Sequence, residues 1–533
     1  MKNRFIELQR ARLRQGRLSR REFISSLMAA GVVLPAAVGM ADKAMAMTPK
    51  RGGDLKIGMG HGSTTDSLDP ATYENGFMLN LGYLWGNSLT EVAPDGTLRG
   101  DLVEGWEATP DAATWRFPLK KGVTFHNGKT LTVEDVIASL NHHRGEDTKS
   151  AAKGLLADVV EMTAEGDTLV VTLASGNADF PFILSDYHLL IMPSEDGAVD
   201  PTAAIGTGPY MIETFDPGVR VIGTRNDNYH VEDAAWFDTV EILSIVDPTA
   251  RQNALMNGSV HLIDRVDPKT ANLLGRAPNI SILEKTGYLH YTFPMRVTMA
   301  PFDNYDLRMA LKLSVKRQEL VDKILMGYGR VGNDHPISPA VPFHAEGLNQ
   351  REFDPEKAAF HYKKSGHSGP IQLSASDAAF AGAVDAAQLV AASAAEAGIT
   401  VEVVREPSDG YWSNVWNKKP WCACYWGGRP TADWMFSSAY VDDTEWNDTD
   451  WRSTEAAVKF NSIVDEARAE LDQQKRAELY FEAQRLIHDD GGALVPMFAN
   501  YIMGVSNELA HGEAVAANWE LDGGKASQRW WMA

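Results

Sequence analysis

An α/β fold arranged in lobes is predicted by three observations on this 533-residue chain. Strand-like and helix-like stretches alternate along most of its length. That length exceeds what a single hydrophobic core serves. No fixed-period repeat, heptad run or low-complexity tract points instead to a solenoid or coiled coil. With 44% hydrophobic and 23% charged residues the composition is globular, and two cysteines, Cys422 and Cys424, cannot supply a disulfide framework.

The first 46 residues read as a separate segment. An Arg-rich stretch holds Ser19-Arg20-Arg21-Glu22-Phe23-Ile24, a twin-arginine pair followed by an apolar position. A mildly apolar run, Ile24 to Ala41, leads to the A-x-A site Ala44-Met45-Ala46. This order is that of a twin-arginine secretion signal cleaved after Ala46, and the expected destination is the periplasm. A membrane anchor is the competing reading, which Pro35 and the small residues of the run oppose. No cysteine follows the cleavage site for lipid attachment.

Taken in order, the mature chain opens with the strand Leu55 to Met59, and Leu169–Leu173, Val240–Leu243 and Thr400–Val404 show the same β-branched or alternating character. Asn127-Gly128 between Val123-Thr124-Phe125 and Thr130-Leu131 predicts a tight hairpin turn. Thr132 with Asp135 three residues on predicts a helix start, and Val133, Val136, Ile137 and Leu140 form its apolar stripe. A single helix is predicted from about Leu307 to Met326, stopped by Gly327. Asp354-Pro355 starts another. An Ala-rich helix from Ala378 to Ala397 precedes the Val401 strand, and two more helices follow at roughly 454–470 and 473–488.

Charge narrows the function. The net charge is −21, and residues 1–46 hold nine Lys or Arg against three acids, so the remainder carries −27. Nucleic-acid binding, which needs clustered cations, is disfavoured.

Motif order is more specific. Thr65-Asp66-Ser67-Leu68-Asp69-Pro70 is followed by Pro94-Asp95-Gly96-Thr97-Leu98, Leu102-Val103-Glu104-Gly105-Trp106-Glu107 and Thr114-Trp115-Arg116-Phe117. Next come Lys120 to Lys129 (KKGVTFHNGK), Leu131 to Val136, Gly206-Thr207-Gly208-Pro209-Tyr210 and Asp306-Leu307-Arg308-Met309-Ala310-Leu311. These blocks, with Lys475–Tyr480 and Leu494–Phe498, resemble the family 5 extracellular solute-binding proteins, periplasmic receptors of peptide and nickel ABC importers. The resemblance covers nearly all of residues 51–510. Most of the blocks are scaffold, and His126, Trp106 and Tyr210 are expected to pack rather than touch a ligand.

The resemblance implies a two-lobed periplasmic binding protein fold, type II and cluster C-like, with an extra domain and two hinge crossings near Gly287–Tyr291 and Leu494–Phe498. Lobe I would comprise 51–90, 205–290 and 495–533, the extra domain 91–204, and lobe II 291–494. The implied function is capture of a peptide or peptide-like solute between the lobes and its delivery to the membrane permease. Catalysis, cofactor and resident metal are not required, and a monomer is expected. The alternatives are a receptor for a non-peptide anionic or zwitterionic solute or a nickel complex and, from another class, a periplasmic chaperone or sensor partner.

Seven of the 14 tryptophans (Trp412, Trp416, Trp421, Trp426, Trp434, Trp446 and Trp451) fall within residues 412–451. That density fits either a packed subdomain or an aromatic pocket wall. The resemblance places ligand recognition at Tyr425, Trp426, Gly427 and Arg429. Peptide-binding relatives hold an Asp where this chain has Arg429, which reverses the charge preference toward a carboxylate, sulfonate or phosphate. Asp433 is either an ammonium partner or an internal partner of Arg429. Trp412 offers a stacking face, and Tyr73, Asn75, Phe77, Tyr187 and His188 are candidates from the other lobe. Cys422 and Cys424 lack the further Cys or spaced His residues of a zinc site. The chain also lacks Gly-x-Ser-x-Gly, a phosphate loop and His-Glu-x-x-His.

Overall fold

Nine strands form one mixed sheet through the molecule. Their order is Tyr210–Asp216, Arg220–Arg225, Thr239–Ser244, Asp54–Met59, Leu262–Ile263, Met497–Ser506, Ile280–Thr292 and Cys424–Trp426, with Gly329–Val331 also pairing to Met497–Ser506. The computed structural model describes residues 48–533 apart from Glu74, Asp147, 408–410, Gly428, Asp443 and Glu445. Of the first 47 residues it describes chiefly the helix Arg20–Ala29. The Ala44–Ala46 site expected for cleavage lies outside the described residues. No described helix is long and apolar enough to cross a membrane.

Alternation explains how the strands pack. In Asp54–Met59 the side chains of Leu55, Ile57 and Met59 are buried on one face. They join Trp85, Tyr210, Ile242 and Trp530 in one core. Phe293, Leu311, Leu373, Ala387 and Trp421 build a second, and Trp426, Phe436, Trp451 and Tyr480 a third beside it. A fourth core, around Phe117, Val136 and Val171, sits against a four-stranded antiparallel sheet. The result is two α/β lobes and a small additional domain.

Two long antiparallel strands, Ile280–Thr292 and Met497–Ser506, carry the sheet from one lobe to the other. Their register shifts between Thr286 and His290. Gly287 lies in that interruption, and a Cβ there would stand 2.2 Å from the Tyr501 ring, so only glycine fits.

Local signals and tertiary forces meet at the helices. The Thr132–Asp135 capping box starts Val133–His142, Asp354 caps Pro355–Ser365, and Gly128 (φ 82°) makes the turn after Asn127. The continuous helix expected over 307–326 is instead two, Tyr305–Leu313 and Arg317–Lys323. Ser314 Oγ donates back to Leu311 O at 2.9 Å, and buried Arg317 reaches Asp334 at 2.7 Å, which reorients the second segment. The Ala-rich helix starts at Ala383 rather than Ala378, because Gly382 takes a left-handed conformation (φ 81°).

The C-terminal segment is locked into the first lobe. Lys525 Nζ lies 2.6 Å from Glu91 and 3.1 Å from Asp101, and Arg529 is 3.0 Å from Glu91. All four side chains are buried or nearly so, which fixes the backbone of residues 519–530 relative to the lobe.

Candidate functional site

The short strand Cys424–Trp426 pairs with the end of the crossing strand, Tyr425 opposite Tyr291 and Trp426 opposite His290. Its pleat buries Cys424 and Trp426 and turns Tyr425 outward, 38% exposed. Trp412, 39% exposed, meets the Tyr425 ring edge-on at 5.5 Å.

Behind this face lies Asp448. The indoles of Trp416 and Trp426 each donate to its Oδ2 at 3.1 Å. Burial pushes the Asp448 carboxyl up to about 6. Trp426 therefore belongs to the packed wall: its ring also neighbours Trp416 at 6.1 Å and Trp446 at 6.2 Å. Packed indoles stand behind the exposed ring of Trp412, which meets Trp416 at 5.8 Å.

Beyond the strand the chain turns toward the opposite lobe. A Cβ on Gly427 would be 4.0 Å from Trp519, and Trp519 meets Tyr187 edge-on at 5.8 Å. Arg429 donates to Gly427 O at 2.7 Å. Burial lowers the Arg429 pKa, while Tyr187, Asp186, Tyr501 and Tyr425 favour its charge. Among the described residues no carboxylate lies within ion-pair distance of it.

Several expected contacts are corrected. Asp433 does not pair with Arg429: it is buried in the first turn of Ala432–Ala439, 3.0 Å from Arg468, and burial pushes its carboxyl up to about 6. Phe77 is a fully buried core residue. Tyr73 is also buried, its hydroxyl donating to Leu68 O and accepting from Trp85 Nε1. Asn75 caps Gly76–Trp85 through Met78 N and donates to Asp66. His188 is held between Asp186 (2.5 Å) and Tyr73 O (2.7 Å) in the interior. Each of these polar groups is spent on the scaffold; Tyr187 meets the His188 ring at 4.1 Å and Trp519 at 5.8 Å.

Cys422 and Cys424 are free and buried, and burial pushes Cys422 up to about 12 and Cys424 well above its ordinary value. Such thiols are poor nucleophiles. No cluster of three or more His, Cys, Asp or Glu suited to a metal occurs among the described residues.

Sequence reasoning did not single out one further charged pair. Arg265 and Glu520, from opposite ends of the first lobe's sequence, lie 3.5 Å apart (Nε to Oε2). Tyr291 stacks face to face on Phe380 at 4.0 Å, and its hydroxyl feels the Arg265 charge. No motif marks these positions.

Residues 97–448 match the model of the bacterial extracellular solute-binding proteins, family 5. The chain belongs to this family. Its members are solute-binding proteins rather than enzymes, and they work in the periplasm. The glutathione-binding protein GsiB of Salmonella paratyphi A is 23% identical over 472 residues, 85% of this chain and 90% of that protein. Its counterpart in Salmonella choleraesuis is matched over 65% of its length at 24% identity. Among solved structures, DppA from Helicobacter pylori in complex with the peptide STSA superposes with a TM-score of 0.74 at 19% identity, covering 92% of this chain and 99% of that one. AgaA from A. tumefaciens R10 in complex with agropinic acid gives 0.73 at 19% identity, covering 90% and 99%. The shared fold is the two-lobed family 5 receptor.

Proposed function

We propose that this chain is the periplasmic receptor of a peptide-class ABC importer, closing its lobes on a small peptide-like solute and presenting it to the membrane permease. The observation that carries the solute preference is Arg429. It stands at the tip of the Cys424–Trp426 strand, between the lobes, with a single donated hydrogen bond and no carboxylate in ion-pair range among the described residues. An anionic group of the solute completes it, through the bidentate geometry that guanidinium favours. Tyr425 and Trp412 offer exposed ring faces and edges beside it.

Capture needs no covalent chemistry. Closure removes water from the gap and strengthens each polar contact within it. Transport is directional if the permease reads the closed state preferentially. Export by the twin-arginine route, with cleavage after Ala46, delivers the folded receptor to its compartment.

Mass spectrometry of the solute that copurifies from periplasm tests this reading. A bound solute with at least one acidic group, and a raised melting temperature when it is added back, are expected. Arg429→Asp should abolish that rise; if the variant binds the native solute as tightly as wild type, the role given to Arg429 is wrong.

A further inference from the structure

Arg251 and Arg317, both buried, each make four hydrogen bonds. Arg251 donates to the carbonyls of Ile245, Val246, Asp264 and Arg265. Arg317 donates to Lys312 O, Arg351 O and both oxygens of Asp334. Arg265 breaks the pattern. Among the described residues its guanidinium makes no hydrogen bond within the protein, and its sole ion pair, with Glu520, is a long 3.5 Å. The Glu520 carboxylate in turn has Arg265 as its one ion-pair partner among the described residues.

Both groups are nonetheless held in place. Arg265 has φ 46°, and Leu521 and Asp522, immediately after Glu520, have φ 55° and 60°. Left-handed conformations in non-glycine residues persist only where surrounding structure enforces them, and they concentrate at functional sites. Here Asp522 is clamped by Ala516 N, Arg529 and Trp530 Nε1, so the turn that presents Glu520 is rigid.

The two groups face the same space as Arg429. Arg265 is 49% exposed at its side chain although burial is the largest influence on its charge, as for a group lining an enclosed, water-filled gap. Tyr425 acts electrostatically on both Arg265 and Arg429, and Tyr501 feels Glu520, Arg265 and Arg429 together. Trp519, the residue before Glu520, would stand 4.0 Å from a Cβ on Gly427, two residues before Arg429. Neither Tyr425 nor Tyr501 spends its hydroxyl on a hydrogen bond to a described residue.

Resting on the reading of the gap as the solute site, we propose that Arg265, Glu520 and Arg429 form a split clamp for a zwitterion with two anionic groups and one ammonium. One anionic group engages Arg429, the other Arg265, and the ammonium takes Glu520, whose loose pairing leaves its oxygens available. Burial raises the Glu520 carboxyl to about 7, and an ammonium seated on it would hold it ionised, so that two cations face one anion and a solute of net charge −1 is favoured. A simple dipeptide with neutral side chains would leave one guanidinium without an anionic group of the solute once the lobes close.

L-alanyl-L-glutamate and L-alanyl-L-glutamine are matched probes, differing by one carboxylate. Calorimetry on the wild-type protein should give at least tenfold tighter binding of alanyl-glutamate. Arg265→Gln should bring the two affinities to within about twofold, and N-acetylation of alanyl-glutamate should weaken its binding to wild type far more than to Glu520→Gln. Equal affinity of wild type for both probes, or an unchanged preference in Arg265→Gln, overturns the clamp. If neither probe binds while a neutral or cationic dipeptide, such as alanyl-lysine, raises the melting temperature, the clamp is wrong and the receptor reading stands. If no solute copurifies and none of these dipeptides binds, both fall.

Discussion

Asp179 Oδ1 of the small domain lies 2.8 Å from Arg476 Nη2 of the opposite lobe, and both side chains are buried. Next to this pair Ala178 N donates to Arg468 O at 2.6 Å, while the Arg468 side chain pairs with Asp433. The lobes are therefore latched on the side of the small domain. Removing one member of a buried ion pair costs about 3–5 kcal/mol where the survivor stays buried. Opening relieves that cost by rehydrating it. Asp179→Asn should thus favour the open form, seen as a larger radius of gyration by small-angle scattering, and weaken solute binding at least tenfold, about 1.4 kcal/mol.

Asp448 is expected to govern the aromatic wall. Asp448→Ala strands two indole N–H donors, a loss of about 1–3 kcal/mol for each buried group left unsatisfied. Chemical denaturation should show a stability loss of that order, and the tryptophan emission should change with it. An emission spectrum and denaturation midpoint equal to wild type would remove Asp448 from this role.

Stability should fall on acidification from pH 6.5 to 4. Burial lowers His61, His143 and His335 to about 3 and His290 to about 4, so the unfolded chain binds protons there that the folded one does not. Stability from these groups is full above pH 6.5 and is lost as pH drops toward their folded values. Asp433 and Asp448, raised to about 6, act oppositely, because their folded forms hold protons more tightly. Glu520, raised to about 7, and Asp264 and His188, also raised, add to this opposition, but His126, His261, His344 and His488 are lowered as well, so eight histidines outweigh them. Melting temperatures across this window should decline with pH, and His335→Phe should flatten the decline.

The secretion signal makes its own prediction. Arg20→Lys combined with Arg21→Lys should leave uncleaved precursor in the cytoplasm, and cell fractionation with intact-mass measurement distinguishes it from a mature chain beginning at Met47. Normal export of the double variant would refute the twin-arginine assignment.

Local features were legible because their causes are local. The Thr132–Asp135 box, the Asn127-Gly128 turn and the Asp354-Pro355 start each need only neighbouring residues. Arg429 drew notice through its departure from a family pattern. The split at Ser314 was hidden because the pull on Arg317 comes from Asp334, a tertiary partner. Asp433 misled for the same reason, its partner Arg468 standing on another helix. Arg265 and Glu520 carry no motif, and only the fold brings them together. Tyr73, Asn75 and Phe77 lie near the family's Leu-Asp-Pro block, yet position along the chain says nothing of which way a side chain points.

The attachment of two indoles to one Asp448 oxygen bears on how such a receptor changes its diet. Trp416 and Trp426 are fastened from behind, by a carboxylate outside the 427–429 loop. Position 429 can then accept a different side chain while the aromatic backing stays as it was. New specificities are then reachable by single steps that leave folding intact, and an import system can try a different nutrient without first losing its receptor.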